Sequence, residues 1–472
     1  MWAYCRGRSL LPLTTVCLLC ACDSGDTDPF SLNSNLPLVW IDTNGVDVDS
    51  DEFWDEDDSR AWVPATATFI EPDGEGLASL DDAPAWSGQA GLHVRGSSSA
   101  EEYDKKSYAL ETWGDGGADL DVSLLGLPSD EDWILHGPFS DKTLMRNHLM
   151  YTWSRDVGRY AARTVFVELW LDDGDDGLDM EGDYRGVYLL MEKVKRDADR
   201  VDIVELDPPD ETEPDISGGY LLKKDWVDEE RPETFLVTDR YEDVILFVDP
   251  DPDAITDAQR DWITGYLDEF ETALAGPDFG DPSAGYAPFI DVDSFIDHHL
   301  LVELGRNVDG YVLSTFLHKD REGPLTMGPI WDYNGALGNA DYFEAWETEG
   351  WHFDYPGFPE NNPTAYEWYW RLFEDPDFRA RYAERWFELR EGPLATEALL
   401  GEVDRVAALL DQGAVERNFA RWDVLGEYVW PNDEGFEDRE SYSEEIGYLK
   451  GWIEDRSGWM DEAIADEYLE RR

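Results

Sequence analysis

All four cysteines of this 472-residue chain, Cys5, Cys17, Cys20 and Cys22, fall within its first 22 positions, and none follows. Whatever the remainder folds into must therefore hold together without disulfides, by burying enough apolar surface to offset the entropy of ordering the chain. The composition permits this: 42% of residues are hydrophobic and 13% aromatic. Collagen-like, low-complexity and wholly disordered architectures are excluded, and the length suits two or three units or one large two-lobed unit.

The cysteines carry an address as well. Arg6 and Arg8 precede an apolar run from Leu10 to Leu19, too short to span a bilayer as a mature helix. With Leu19-Cys20-Ala21-Cys22-Asp23 behind it, the segment resembles a bacterial lipoprotein signal. Residues 1–21 are expected to be removed and Cys22 to be acylated as the new N-terminus. An ordinary signal peptide cut nearby is the alternative, and both readings send the chain out of the cytoplasm. Residues 22–36, rich in Asp, Ser, Gly, Pro and Asn, read as a flexible tether. No later stretch approaches 18 consecutive apolar residues, so attachment to the envelope membrane is expected through the lipid alone.

Charge narrows the partners. With 107 Asp+Glu against 37 Lys+Arg the formal charge is -70, which repels nucleic-acid phosphates and anionic headgroups alike. Nucleic acid is excluded as the principal partner, and a basic or cation-bridged protein is the expected one. The acids are spread along the chain, either as a solvated surface suited to a salty or calcium-rich medium or as dedicated Ca2+ loops. The run Asp42–Asp51 begins like a calcium loop but lacks the Gly at its sixth position and the Glu at its twelfth that an EF-hand requires.

Periodicity sets the expected order of elements. Strand candidates are Leu36–Ile41, Gly91–Val94, Ser107–Thr112, Thr164–Leu171 and Tyr184–Met191, β-branched or aromatic runs bounded by Gly or Asp. One helix interrupts them: Asp141 as cap, Met145, Leu149 and Trp153 at four-residue spacing, an end near Gly158. A helix is predicted over Asp293–Gly305, followed by paired runs Tyr311–His318 and Leu325–Trp331 across a turn-like Lys319–Pro324. Beyond Pro363 the pattern is mostly helical, with Pro376 at a first helical position after Asp375 and apolar faces at Phe378, Tyr382, Trp386, Leu389 and at Leu399, Val403, Val406, Leu410. The fold class is α+β: a strand-rich lobe over 37–205, an acidic joint with surface excursions over 206–260 and a helix-rich lobe over 261–472. Ligands favour the cleft between two such lobes.

Several chemistries lack their residues. There is no Walker P-loop, G-x-G-x-x-G, H-E-x-x-H or G-x-S-x-G, and the one adjacent histidine pair, His298-His299, sits in a helix where neighbours diverge. Lysine is scarce, yet Lys105-Lys106 open a strand and Lys193 and Lys195 follow another. They either hold phosphates as point charges or pair with the abundant acids. The second constellation is Asn307-Val308-Asp309-Gly310-Tyr311 with Gly328-Pro329-Ile330-Trp331-Asp332-Tyr333-Asn334 downstream. A helix, a loop Asp, a two-stranded ribbon and a second Asp form the arrangement phosphoryl transfer requires, one carboxylate for the attacking hydroxyl and one for a metal on the phosphates. Asp and Gly are also ordinary turn residues.

These segments carry a resemblance. Val94-Arg95-Gly96-Ser97-Ser98-Ser99 with Lys105-Lys106-Ser107-Tyr108, then "SLLGLPSDEDWILHGPFSDKTLMRN", "DYRGVYLLMEKVKRDADRVDI", "SGGYLL", "NVDGY" and "GPIWDYNGALGNADY" resemble the spore coat protein H (CotH) kinase family from about Leu36 to Trp422. The resemblance implies an atypical protein-kinase-like, two-lobed fold that binds ATP with Mg2+ or Mn2+ and phosphorylates Ser or Thr of a protein partner. It further implies Asp309 as catalytic carboxylate, Asp332 and Asn334 as metal ligands and Lys106, with Lys105 second, as the strand lysine facing the phosphates. Arg95, Ser97 and Ser98 would form the phosphate-covering turn, and Glu192, where a kinase joins its lobes, would meet the adenosine or pair with Lys193 or Arg196. Two departures stand out. Asn334 occupies a position that is Asp in many relatives, and the embedded helix offers Arg146 and Asn147 where ordinary kinases place a Glu. Nucleotidyl transfer and a non-catalytic adhesin or ligand-binding lipoprotein on the same scaffold are the competing readings. The acidic surface adds Ca2+ as a candidate.

Overall fold

The computed structural model describes residues 32–49, 61–174, 177–228, 230–354 and 367–469. The signal segment, Cys22, most of the tether and the end of the Asp42–Asp51 run lie outside them.

Seven strands form a closed barrel: β1 (Leu38–Asp42), β2 (Val63–Ile70), β3 (Trp86–Arg95), β4 (Ser107–Trp113), β5 (Asp132–His136), β6 (Thr164–Asp172) and β7 (Tyr184–Glu192), in the order β1-β2-β3-β4-β5-β7-β6. Every pairing is antiparallel except the closing one, β1 with β6. Alternation fills the interior. Val63, Ala65, Ala67 and Phe69 of β2 point inward with Leu92 and Val94, Tyr108 and Leu110, Trp133 and Leu135, and Val167 and Leu169. The small alanines admit the larger rings opposite. The outward residues Ile134, Phe166, Leu189 and Met191 belong to the main helical core, so β6 and β7 are buried on both faces.

Two helices interrupt the barrel: the short α1 (Ser98–Glu102) after β3, and α2 (Arg146–Asp156) between β5 and β6. The cap position of α2 is Met145, not Asp141, but Asp141 still braces the start of the helix by accepting from Arg146 N at 2.8 Å and from the Arg146 guanidinium at 2.5 Å.

A second sheet, ordered β12-β11-β8-β10-β9, contains β8 (Tyr220–Lys224), β9 (Phe235–Val237), β10 (Val244–Asp249), β11 (Thr315–Lys319) and β12 (Leu325–Met327). The segment read as an acidic joint thus carries three strands, and β8, with Tyr220, Leu221 and Leu222 buried, lies at the centre of the sheet. Its acids sit in the loops, which disguised the short apolar runs between them. Against this sheet pack α3 (Asp257–Ala275) and α4 (Val292–Gly305); α5 (Glu367–Leu372), α6 (Pro376–Arg390), α7 (Thr396–Leu410) and α9 (Tyr442–Ile464) extend the helical core, and α8 (Ala414–Arg421) packs on β7 of the barrel. Among the described residues no helix is long and apolar enough to cross a membrane.

One buried ion pair fixes α9 to α4. Glu303 and Arg456 are both 0% exposed and 3.0 Å apart. The same carboxylate accepts from Tyr311 Oη at 2.9 Å, His352 N at 2.8 Å and Phe353 N at 2.9 Å. Arg456→Ala leaves that carboxylate buried without its cation and is expected to cost about 3–5 kcal/mol. Equilibrium urea unfolding measures the loss; a change within a few tenths of a kcal/mol would contradict it.

Candidate functional site

The site is assembled from the end of α4 and the segment after β12. Arg306 turns left-handed (φ 44) to close α4, and Asn307 N returns to Val302 O at 3.1 Å. A Cβ at Gly310 would lie 2.7 Å from a Val302 methyl, so only glycine lets the turn press this closely on the helix. Val312 N and Leu313 N then donate to Asp309 O, each at 2.9 Å. Asp309 is thereby set at the head of a tight turn, half-buried.

Asp332 takes φ 60, a left-handed conformation uncommon outside glycine. Three contacts hold it there. Its N–H donates to Tyr151 Oη at 3.1 Å, the following Tyr333 N–H donates to Asn147 Oδ1 at 2.7 Å, and its carbonyl accepts from Asn307 Nδ2 at 3.1 Å. The embedded helix α2 and the Asp309 turn together impose the backbone that aims this carboxylate. Protein encloses Asp332 while its side chain stays open to solvent, as on the floor of a crevice. The next ligand candidate, Asn334, is held through its carbonyl, which accepts from buried Asn339 Nδ2 at 2.8 Å. Asn339 Oδ1 accepts in turn from Asn432 Nδ2 at 3.1 Å, which also donates to Ser140 O at 2.7 Å.

Charge in the crevice is strongly biased. Burial, Asp332 and Asp225 push the Asp309 carboxyl up to about 7. Burial raises Asp332 too, with Arg95 opposing and Asp225 reinforcing. Tyr103 is pushed up to about 12 by burial, with its hydroxyl bond to Ser140 opposing and Asp332 reinforcing. Tyr342 is raised by burial and then by Asp309 and Asp332. Arg95 is the cation whose field acts on Asp332. Its guanidinium lies 5.7 Å from the Trp331 ring, which stacks on Tyr151. Burial, Arg95 and Lys105 hold His136 down to about 4 against Asp141, so it is neutral near pH 7. Asn147 Nδ2 meets His136 Nε2 at 3.3 Å, so an uncharged pair links β5 to α2.

Arg95, Gly96, Ser97 and Ser98 form the turn between β3 and α1, with Ser97 and Ser98 exposed. Gly96 has φ +103, and a Cβ there would fall 2.2 Å from Ser99 Oγ.

Two expected residues are placed elsewhere. Lys106, read as the lysine facing the phosphates, donates to Ala100 O at 2.7 Å and braces α1. Lys105 is buried, donating to Val187 O at 2.6 Å and Asn418 Oδ1 at 2.9 Å. Both lie just before β4. Glu192, read as meeting adenosine, is 1% exposed in its side chain and paired with Arg163 at 2.9 Å, with Arg163 N and Tyr160 Oη also donating to it. The open choice for Glu192 therefore resolves to a cation, Arg163, rather than Lys193 or Arg196. Glu192→Gln is expected to lower the melting temperature while leaving the nucleotide KM within about twofold, since it breaks a buried pair and no ligand contact. A large KM change alone would restore the adenosine role.

Lys193 and Lys195 pair with acids. Lys195 Nζ reaches Asp130 at 3.2 Å, Glu131 at 2.5 Å and Asp132 at 2.9 Å. Among the described residues these three carboxylates are the group with ligand atoms within 4.8 Å of one another, and three cations, Lys193, Lys195 and Arg200, already pair with it. The Asp42 and Asp47 carboxylates turn back onto the Asn44 and Asp49 amides instead of converging. His298 and His299 meet Tyr369 and Tyr382 separately. A cavity of about 180 Å³ between α2, α4 and β12, lined by Ser154, His298 and Ile330 among others, excludes both catalytic candidates.

Sequence reasoning missed Asp225, Tyr103, Tyr342 and Asn339. Asp225 alone had a local signal: the apolar strand of "SGGYLL" runs into Lys223-Lys224-Asp225 much as Ile330-Trp331 runs into Asp332.

A family model described as CotH kinase protein matches residues 92–460, from within β3 to within α9. No curated protein matches the chain. The matched span contains every residue of the crevice.

Proposed function

The chain belongs to the CotH kinase family, and from that premise we propose that it is an atypical protein kinase transferring the γ-phosphoryl of ATP to Ser or Thr of a protein partner. The barrel would be the lobe that covers the nucleotide and the helical part the lobe that carries Asp309 and Asp332. The observation that carries this reading is that Asn307 Nδ2, donating to Asp332 O at 3.1 Å, ties the Asp309 turn to Asp332, with the Asp332 charge acting on Asp309 and that of Arg95 on Asp332. Carboxylates there repel a bare polyphosphate, so the charge balance calls for a divalent cation arriving with it.

The donor set fits a hard ion: the Asp332 carboxylate and the Asn334 amide offer oxygen. When bound, Mg2+ or Mn2+ with ATP supplies phosphate-charge neutralisation and the transferable group. The chain's residues do the rest. Asp332 and Asn334 hold the ion, Arg95 takes the cationic role expected of Lys106, and the Ser97-Ser98 turn covers the phosphates. Asp309 accepts the proton of the attacking hydroxyl, a task suited to a carboxyl raised to about 7.

Lipid anchoring through Cys22 places this activity at the cell envelope, facing a basic or cation-bridged acceptor. The purified protein is expected to gain thermal stability from ATP only when Mg2+ or Mn2+ is present, and to label a Ser-containing basic peptide from γ-labelled ATP. Label arriving only from α-labelled ATP would convert the reading to nucleotidyl transfer. No stabilisation with any divalent ion would leave the binding-module reading, to which exposed Trp226 and Trp430 are suited.

A further inference from the structure

We propose that Asp225 is a third carboxylate of the transfer centre, holding with Asp332 the divalent ion that accompanies the nucleotide, and that Lys223 is its counter-ion until the phosphates arrive. This rests on the kinase reading above. The placement follows from the pleat of β8. Lys224 points to the helices, meeting Asp243 and lying 4.2 Å from the Trp368 ring. Leu221 points the other way, packing with Val194 and Phe316 toward the barrel. Lys223 shares the Leu221 face by alternation. Pairing of Lys224 with Thr315 sets Asp225 beside Leu313 and Ser314, the far end of the turn that Asp309 begins. Its charge acts on both Asp309 and Asp332.

Lys223 Nζ contacts Asp225 Oδ2 at 3.0 Å, and both side chains are partly open, at 30% and 22% exposure. Lys223 and Asp225 thus share the face of β8 that carries the buried Leu221, with Asp225 at the end nearest the Asp309 turn. An ammonium is a point charge suited to phosphate oxygens. Mg2+ is ordinarily held by one or two carboxylates completed by substrate phosphates instead of by an all-protein cage. Asp225, Asp309 and Asp332 do not bring their ligand atoms within 4.8 Å of one another, which suits an ion that arrives with its nucleotide and takes phosphate oxygens to complete its shell. Asp225 and Lys223 then exchange partners, the carboxylate to the ion and the ammonium to phosphate.

The test is Mn2+ binding to the full-length protein by electron paramagnetic resonance with a non-hydrolysable ATP analogue, for wild type, Asp225→Asn, Asp225→Glu and Lys223→Gln. Asp225→Asn is expected to weaken Mn2+ in the ternary complex by about tenfold or more, with Asp225→Glu recovering part of the loss. Lys223→Gln is expected to weaken the analogue while leaving Mn2+ affinity in the nucleotide complex near wild type. Unchanged Mn2+ affinity in Asp225→Asn overturns the proposal and leaves the kinase reading standing. Wild type that binds neither Mn2+ nor the analogue overturns both. Unaltered ligand-free melting curves exclude misfolding, and if Asp225→Asn melts early, Asp225→Glu decides the question.

Discussion

Asp332→Asn is expected to lose metal-dependent stabilisation by ATP and to lower kcat by about 10²–10³-fold, the scale set by removing one preorganised electrostatic contact to a developing charge. The substitution keeps the shape and the three backbone contacts to Tyr151, Asn147 and Asn307, so the fold should survive it. Only the charge that would balance a divalent ion is withdrawn. Thermal shifts with ATP, with Mg2+ and with both separate loss of metal from loss of nucleotide. Stabilisation equal to wild type would remove Asp332 from the metal site. A secondary effect follows from the neighbouring charge: with Asp332 neutral, Asp309 ionises more readily, so the acid limb of residual activity should move to lower pH.

Asp309→Asn is expected to reduce kcat by about 10²–10⁴-fold with nucleotide affinity nearly intact, as for loss of a general base. For the wild type, activity should fall on the acid side as Asp309 takes up its proton, at about 7 in the ligand-free protein and lower once a divalent ion offsets the Asp332 charge. The same shift acts on stability. A carboxyl whose folded value is raised binds its proton more tightly in the folded state than in the unfolded chain. Its contribution is fully present below the unfolded value and is lost as pH rises through about 7. Asp309→Asn should therefore melt at a higher temperature than wild type at pH 8 and at nearly the same temperature at pH 4. Equal melting at both pH values, with an unchanged rate profile, would show that Asp309 is not the strained base of this site.

The local chemistry was largely legible. Asp375-Pro376 begins α6 as read, with the Asp375 side chain accepting from Asp377 N at 2.9 Å, because a cap and an N1 proline act within one turn. α4 was read to within a residue, since its apolar positions face one core on almost every side. β2 escaped notice: Pro64 and two alanines gave little strand signal, yet small residues are what the barrel interior needs opposite Phe69 and Trp133. β5 escaped because five residues are too few for a period to show.

Sequence by itself determined that no cysteine follows Cys22 and that the chain is strongly acidic, and it picked out the two aspartates that the family resemblance implies at the reaction centre. These depend on residue identity and short spacing alone. Tertiary structure decided which cation accompanies them. The family resemblance implied Lys106, with Lys105 second, but a strand's register and the turn after it give both lysines other partners and leave Arg95 as the cation acting on Asp332, and neither is written in local spacing. The closure of β1 on β6, the pairing of Glu192 with Arg163 and the approach of Asp225 to Asp309 are of the same kind. Each joins residues far apart in the chain, where only the packed fold sets the distance.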